Sequence, residues 1–244
     1  WIPTRHVPLS SGAGSSDFHW YTELFYRHLY RRASAFVGVS SEIARQLTAL
    51  ANDGIAVCEV PNPVVSTAPL HIDVETERPF WWPAGQVMMG IGRLAEQKGF
   101  DVLLRAFSMF SSQREGWSLV ILGDGPDRAS LQRLSEELGV SRKVVMPGHV
   151  SGATDFLRLA DLFVLSSRWE GMPTVLIEAL HAGIKVVSTD CPTGPSELLG
   201  DYARLLVPVG DAEALSAGML ASLAAPAPRV DVSKYSVQSA AEAY

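Results

Sequence analysis

Four side chains carry most of the chemical promise of this sequence: the cations Arg93 and Lys98, and the carboxylates Glu170 and Glu178. Arg93 and Lys98 lie in Met89-Gly90-Ile91-Gly92-Arg93-Leu94-Ala95-Glu96-Gln97-Lys98-Gly99, which follows an apolar run and opens a helical pattern. Glycines there allow close backbone approach to a ligand, and the helix start beyond offers unpaired N–H groups to an anion. An Arg fork and a Lys point charge at that place suit a diphosphate, although they read equally as solvated surface charges. Gly90-x-Gly92-x-x-Ala95 also fits a dinucleotide fingerprint, but the acidic partner expected about 20 residues on is missing.

The carboxylates belong to Ser167-Arg168-Trp169-Glu170-Gly171-Met172-Pro173-Thr174-Val175-Leu176-Ile177-Glu178-Ala179-Leu180. Glu170 falls in the loop after a strand, and Glu178 inside the helix that Pro173 starts. Val175, Leu176, Ile177, Ala179 and Leu180 make that helix apolar all round, so it is largely buried. A carboxylate on it is costly without hydrogen-bond partners. The partner is either internal, an Arg or a backbone N–H, or a ligand diol such as a ribose.

These residues need elements to hold them. Apolar runs predict strands at Ala35 to Val39, Val57 to Val60, Gln86 to Gly90, Trp117 to Leu122, Lys143 to Met146, Leu162 to Ser166, Lys185 to Thr189 and Arg204 to Val207, with a stub at Trp1 to Thr4. Continuous runs are the mark of strands covered on both faces. Helical patterns fill the gaps. Asp101 reads as the cap of an amphipathic helix through Phe110, and Pro173 to Gly183 bounds another. Alternating strands and helices imply an α/β chain with parallel sheets. Five prolines between Pro61 and Pro83 mark a linker. The expected organisation is a partial domain over 1–62, a linker over 63–85, a complete domain over 86–235 with six strands and five or six helices, and a returning helix over 236–244.

The 244 residues are 47% hydrophobic and carry a formal net charge of −6, which suits a globular chain and argues against a nucleic-acid partner. Two distant cysteines, Cys58 and Cys191, fit neither a disulfide scaffold nor a zinc site, so a reducing cytosolic setting is expected. No apolar run is long enough to span a bilayer. Trp20, Tyr21, Leu24, Phe25 and Leu29 recur at helical spacing with Arg27, Arg31 and Arg32. That basic amphipathic face either packs on its own domain or lies on an anionic membrane surface.

Gly92-Arg93, Lys98-Gly99, Gly123-Asp124-Gly125-Pro126, Gly148 and above all Glu170-x7-Glu178, in this order, resemble the retaining glycosyltransferases of family 4. The resemblance covers nearly the whole chain. It implies the GT-B fold, two Rossmann-like domains facing a cleft, the C-terminal one complete here and the N-terminal one partial, with about a hundred residues absent before Trp1. It implies transfer of a hexose or N-acetylhexosamine from a nucleotide sugar, UDP before GDP, to a glycan or lipid-linked acceptor of cell-envelope polysaccharide, with retention and with no cofactor or metal. By the same resemblance Arg93 and Lys98 hold the diphosphate, Glu170 bonds sugar hydroxyls, and Glu178 holds the ribose diol. Gly92, Gly171 and the backbone amides of Met172, Pro173, Thr174 and Val175 line the sugar and phosphate, main-chain groups from Met146 to Val150 read the base, and His6 approaches from the first domain. The loop Cys191 to Glu197 is similar to one in members that transfer galactose or N-acetylated hexosamines, and also reads as a plain turn before a helix. Two other functions stay open. One is a nucleotide-sugar-binding module without turnover, and the other is a glycoside hydrolase with Glu170 and Glu178 as its carboxylate pair.

Overall fold

The computed structural model describes residues 4–5, 33–51, 55–65 and 78–243. His6 and residues 18–32 of the basic amphipathic segment lie outside the described residues, as does 66–77 of the linker.

Among the described residues there are two parallel sheets. The smaller joins β1 (Thr4–Arg5), β2 (Ala35–Gly38) and β3 (Ala56–Glu59) in that order, with α1 (Ser41–Leu50) between the last two. Ser40 caps α1 by accepting from the Ile43 amide. Ala33, Phe36, Val39, Ile43 and Leu47 form its core.

The larger sheet contains β4 (Gln86–Ile91), β5 (Trp117–Leu122), β6 (Val144–Gly148), β7 (Leu162–Leu165), β8 (Lys185–Thr189) and β9 (Leu206–Val207). Their order is β6-β5-β4-β7-β8-β9. The helices are α2 (Phe100–Gln113), α3 (Arg128–Glu137), α4 (Thr174–His181), α5 (Pro195–Leu199) and α6 (Ala212–Leu223), followed by α7 (Val237–Ala243). The continuous apolar strands are explained by two cores. Val87, Met89, Val120, Leu122, Phe163 and Val186 pack on one face of the sheet, while Met88, Leu119, Ile121, Leu162, Val164 and Val187 pack on the other.

Two local expectations are corrected. Asp101 does not cap its helix. The cap is Gly99 in the left-handed region (φ 60), and Asp101 stands inside the first turn with its carboxylate turned to Arg168. The last strand is shorter than Arg204 to Val207, because a 3-10 segment, Gly200–Leu205, takes its first two residues. At the other end of the linker Trp81 and Trp82 pack on Phe156, with Trp82 stacked at 6.0 Å between ring centroids.

The strand order also sets where loops can open. The chain leaves β4 toward β5 on one side, while β7 lies against β4 on the other. Loops after β4 and β7 therefore part at their C-terminal ends, leaving the crevice in which open α/β sheets bind ligands.

Candidate functional site

The loops after β4 and β7, with the helix that follows β7, carry Gly92, Arg93, Lys98, Glu170, Met172 to Val175 and Glu178. Gly92 ends β4 with its amide donating to Leu122 O at 2.9 Å. Arg93 follows, exposed and without an ion-pair partner among the described residues. Lys98 closes a short 3-10 turn, Glu96–Lys98, and Gly99 brings that turn onto β7's loop: a Cβ there would lie 2.1 Å from Ser166 O.

Opposite, Glu170 is 5% exposed. Lys98 Nζ donates to Glu170 Oε1 at 2.7 Å, and the buried Ser167 Oγ donates to the same oxygen at 2.6 Å. Oε2 has no protein donor among the described residues. Thr193, the one non-glycine at positive φ (64°) among the described residues, donates its hydroxyl to the Glu170 carbonyl. A non-glycine in that region costs free energy and persists only where its surroundings fix it. Here the fixing contact is to the backbone of Glu170 itself.

Beyond Glu170 the chain enters α4. Gly171 is buried and Met172 half-buried, the latter packing against both the large sheet's core and the core of the small sheet. Pro173 supplies the cap position and no amide, and Gly194 lies so close that a Cβ there would sit 2.2 Å from Pro173 Cδ. Thr174 N donates to Met172 O at 2.9 Å. Of the four residues expected to offer amides, Met172 and Val175 are those left with an uncommitted N–H among the described residues.

Glu178 is half-buried on α4. Burial pushes its carboxyl up to about 7, the Thr154 hydroxyl offsets part of the rise, and the Asp155 charge adds to it. Among the described residues no cation meets it, so the polar partner found for it there is the Thr154 hydroxyl.

At the far end, the Met146 carbonyl accepts from Arg128 Nη2 at 2.7 Å and the Gly148 carbonyl from Gly123 N at 2.9 Å. His149 and the half-buried Val150 keep the free main-chain groups of that stretch. Cys191 is buried, and both burial and the nearby Glu170 charge push its thiol up to about 12. Among the described residues no three His, Cys, Asp or Glu side chains converge as metal ligands. No helix among them is long and apolar enough to cross a membrane.

Sequence reasoning missed Arg168, Gln97, Ser167 and Thr193, which surround the Lys98–Glu170 pair. The partners of Gln97 and Thr193 are 72 and 23 residues away, so no local spacing announces those two, while Ser167 bonds Glu170 only three residues on.

Known proteins share this fold. The crystal structure of a mutant TarM of S. aureus superposes with a TM-score of 0.74 at 17% identity, covering 92% of this chain and 44% of that one. The lipopolysaccharide outer core galactosyltransferase WaaB, in its apo form, gives 0.60 at 26% identity over 79% and 53% of the two chains. These likenesses show the GT-B fold. Among curated relatives, an uncharacterised glycosyltransferase of Methanocaldococcus jannaschii is 42% identical over 113 residues, which are 46% of this chain and 28% of that protein. The lipopolysaccharide core biosynthesis glycosyltransferase LpsE of Rhizobium meliloti is 38% identical over 128 residues, 52% of this chain and 36% of that protein. The chain thus matches about a third of their length. The model of the glycosyl transferases group 1 family matches residues 83–238, which take in the larger sheet, both walls of the crevice and Glu170 with Glu178: the chain belongs to that family.

Proposed function

We propose that residues 86–235 bind the nucleotide-sugar donor of a glycosyltransferase that retains configuration, with UDP preferred over GDP. The observation that carries this reading is the Lys98–Glu170 pair at the mouth of the β4/β7 crevice, with Glu170 Oε2 left open. Lys98 spends one of its three donors on Glu170 and keeps two for a diphosphate, and exposed Arg93 adds a fork. Glu170 Oε2 accepts a sugar hydroxyl. Glu178, half-buried and without a cation among the described residues, accepts the ribose diol.

In the reaction the acceptor hydroxyl attacks the anomeric carbon on the leaving-group side as the bond from that carbon to the diphosphate oxygen breaks, its electron pair leaving on the diphosphate, which takes the hydroxyl proton. Charge then builds on the diphosphate, where Arg93 and Lys98 stabilise it without a metal. The amides of Met172 and Val175 at the start of α4 add to that field. The hydrolase reading is disfavoured, because Glu170 Oε1 is already held by the Lys98 ammonium at 2.7 Å and by the Ser167 hydroxyl, not set free to flank a scissile bond with Glu178. The names of the relatives support an acceptor that is a cell-surface glycan or its lipid-linked precursor: LpsE and WaaB are both lipopolysaccharide core enzymes by name.

A thermal-shift panel of nucleotide sugars tests this. A ligand that binds only the folded chain raises the midpoint. UDP sugars are expected to raise it most. A panel in which neither UDP nor GDP sugars move it contradicts the donor-site reading.

A further inference from the structure

Arg168 stands beside the pair described above but does not touch it. Its guanidinium forks onto Asp101, Nη1 to Oδ1 at 2.9 Å and Nη2 to Oδ2 at 2.7 Å, and Nη1 also donates to the Glu96 carbonyl at 2.7 Å. Its backbone amide donates to Gln97 O at 2.7 Å. Gln97 Nε2 answers with a bond to Trp169 O at 3.0 Å, and Ser166 Oγ bonds Lys98 O at 2.7 Å. Four of these six bonds join the turn that carries Lys98 to the loop that carries Glu170, and the two to Asp101 tie that loop to the first turn of α2, which follows the Lys98 turn. Burial alone would raise the Asp101 carboxyl, yet the Arg168 fork together with the backbone amides of Asp101 and Val102 outweighs it and lowers that group from its ordinary value.

The geometry points to Arg168 as a positioning residue that, through Asp101 and the Glu96 carbonyl, fixes the Lys98 turn so that the ammonium is held on Glu170 and aimed into the crevice. Its value for ligand binding rests on the donor-site reading above. The physical reason is that Lys98 sits at the end of a short 3-10 turn, and four rotatable bonds separate its ammonium from that backbone. The turn must be still for the ammonium to be still. Arg168 and Asp101 are 26% and 43% exposed at their side chains, so the fork adds little to global stability. What it adds is order at one wall of the crevice. A planar five-donor fork serves two acceptors at once, which a lysine cannot reproduce.

The experiment uses the 244-residue chain with Arg168→Ala, Asp101→Ala, Arg168→Lys and Lys98→Ala, and two readouts. The first is the rate of reductive methylation of Lys98 relative to exposed Lys143, followed by mass spectrometry. Arg168→Ala and Asp101→Ala are expected to speed Lys98 labelling several-fold with the unfolding midpoint nearly unchanged, and Arg168→Lys to restore it only in part. The second is UDP affinity by calorimetry. Arg168→Ala is expected to weaken it about fivefold, the factor an exposed ion pair can supply. In a Lys98→Ala background it should weaken it no further, because the effect travels through Lys98. Unchanged Lys98 labelling, or an equal loss of UDP affinity in the Lys98→Ala background, overturns the positioning role. If Lys98→Ala itself leaves UDP affinity intact, the donor-site reading fails, while the labelling still decides whether Arg168 fixes the Lys98 turn.

Discussion

Lys98 Nζ lies 2.7 Å from Glu170 Oε1, with the two side chains 18% and 6% exposed. A pair so far out of water is costly to break from one side, since the remaining charge keeps its desolvation penalty and loses its partner. Lys98→Met and Glu170→Met should each lower unfolding free energy by about 3 kcal/mol. The double variant should lose clearly less than the sum. Urea melts of the three variants check this, and strict additivity would argue against a coupled pair.

Glu178 gives a pH signature. Its folded carboxyl is raised to about 7 from 4.5, so the folded chain holds an extra proton between those values. Its contribution to stability is therefore greatest below the unfolded value and is lost as pH rises through about 7. A diol donor prefers the ionised carboxylate, so nucleotide affinity should rise over the same interval. Glu178→Gln should remove that part of the rise and leave whatever belongs to the phosphate. Calorimetric titrations at pH 6 and pH 8 on both proteins make the comparison.

Gly99 cannot be replaced quietly. Its φ of 60 disfavours any side chain, and a Cβ would meet Ser166 O at 2.1 Å. Gly99→Ala should cost at least about 1 to 2 kcal/mol from the backbone conformation alone, with more from the clash. A denaturant midpoint unchanged by the substitution would contradict the close contact of the two loops.

The two thiols should separate in reactivity. Cys58 is exposed, while Cys191 is buried with its thiol pushed up to about 12. Ellman's reagent at pH 8 should label one thiol per folded chain, at Cys58, and both after denaturation. Fast native labelling of Cys191 would contradict its place beneath Glu170.

Much of the scaffold was legible because burial on two faces leaves a plain trace: Trp117–Leu122 and Lys185–Thr189 run as predicted to the residue. Boundaries failed where backbone geometry outweighed side-chain pattern. Asp101 looked like a cap, but a glycine able to turn left-handed stood before it, and the carboxylate served Arg168 instead. Arg93, Lys98, Glu170 and Glu178 were visible as unusual charges at strand ends or on an apolar helix. Arg168 and Thr193 were not, since each acts on a partner remote in sequence and neither type is unusual where it stands. Arg128 shows the same limit: its guanidinium bonds the Met146 carbonyl 18 residues away, which no local pattern announces.

The central claim is that one crevice binds a nucleoside diphosphate through cations at one end and Glu178 at the other. UDP affinity of the wild-type chain, Arg93→Ala and Glu178→Ala, each shown to be folded, tests it most directly. The account predicts that each substitution weakens binding about tenfold or more, as loss of a charge-assisted contact of about 1.5 to 3 kcal/mol requires. Unchanged affinity in both folded variants would contradict it.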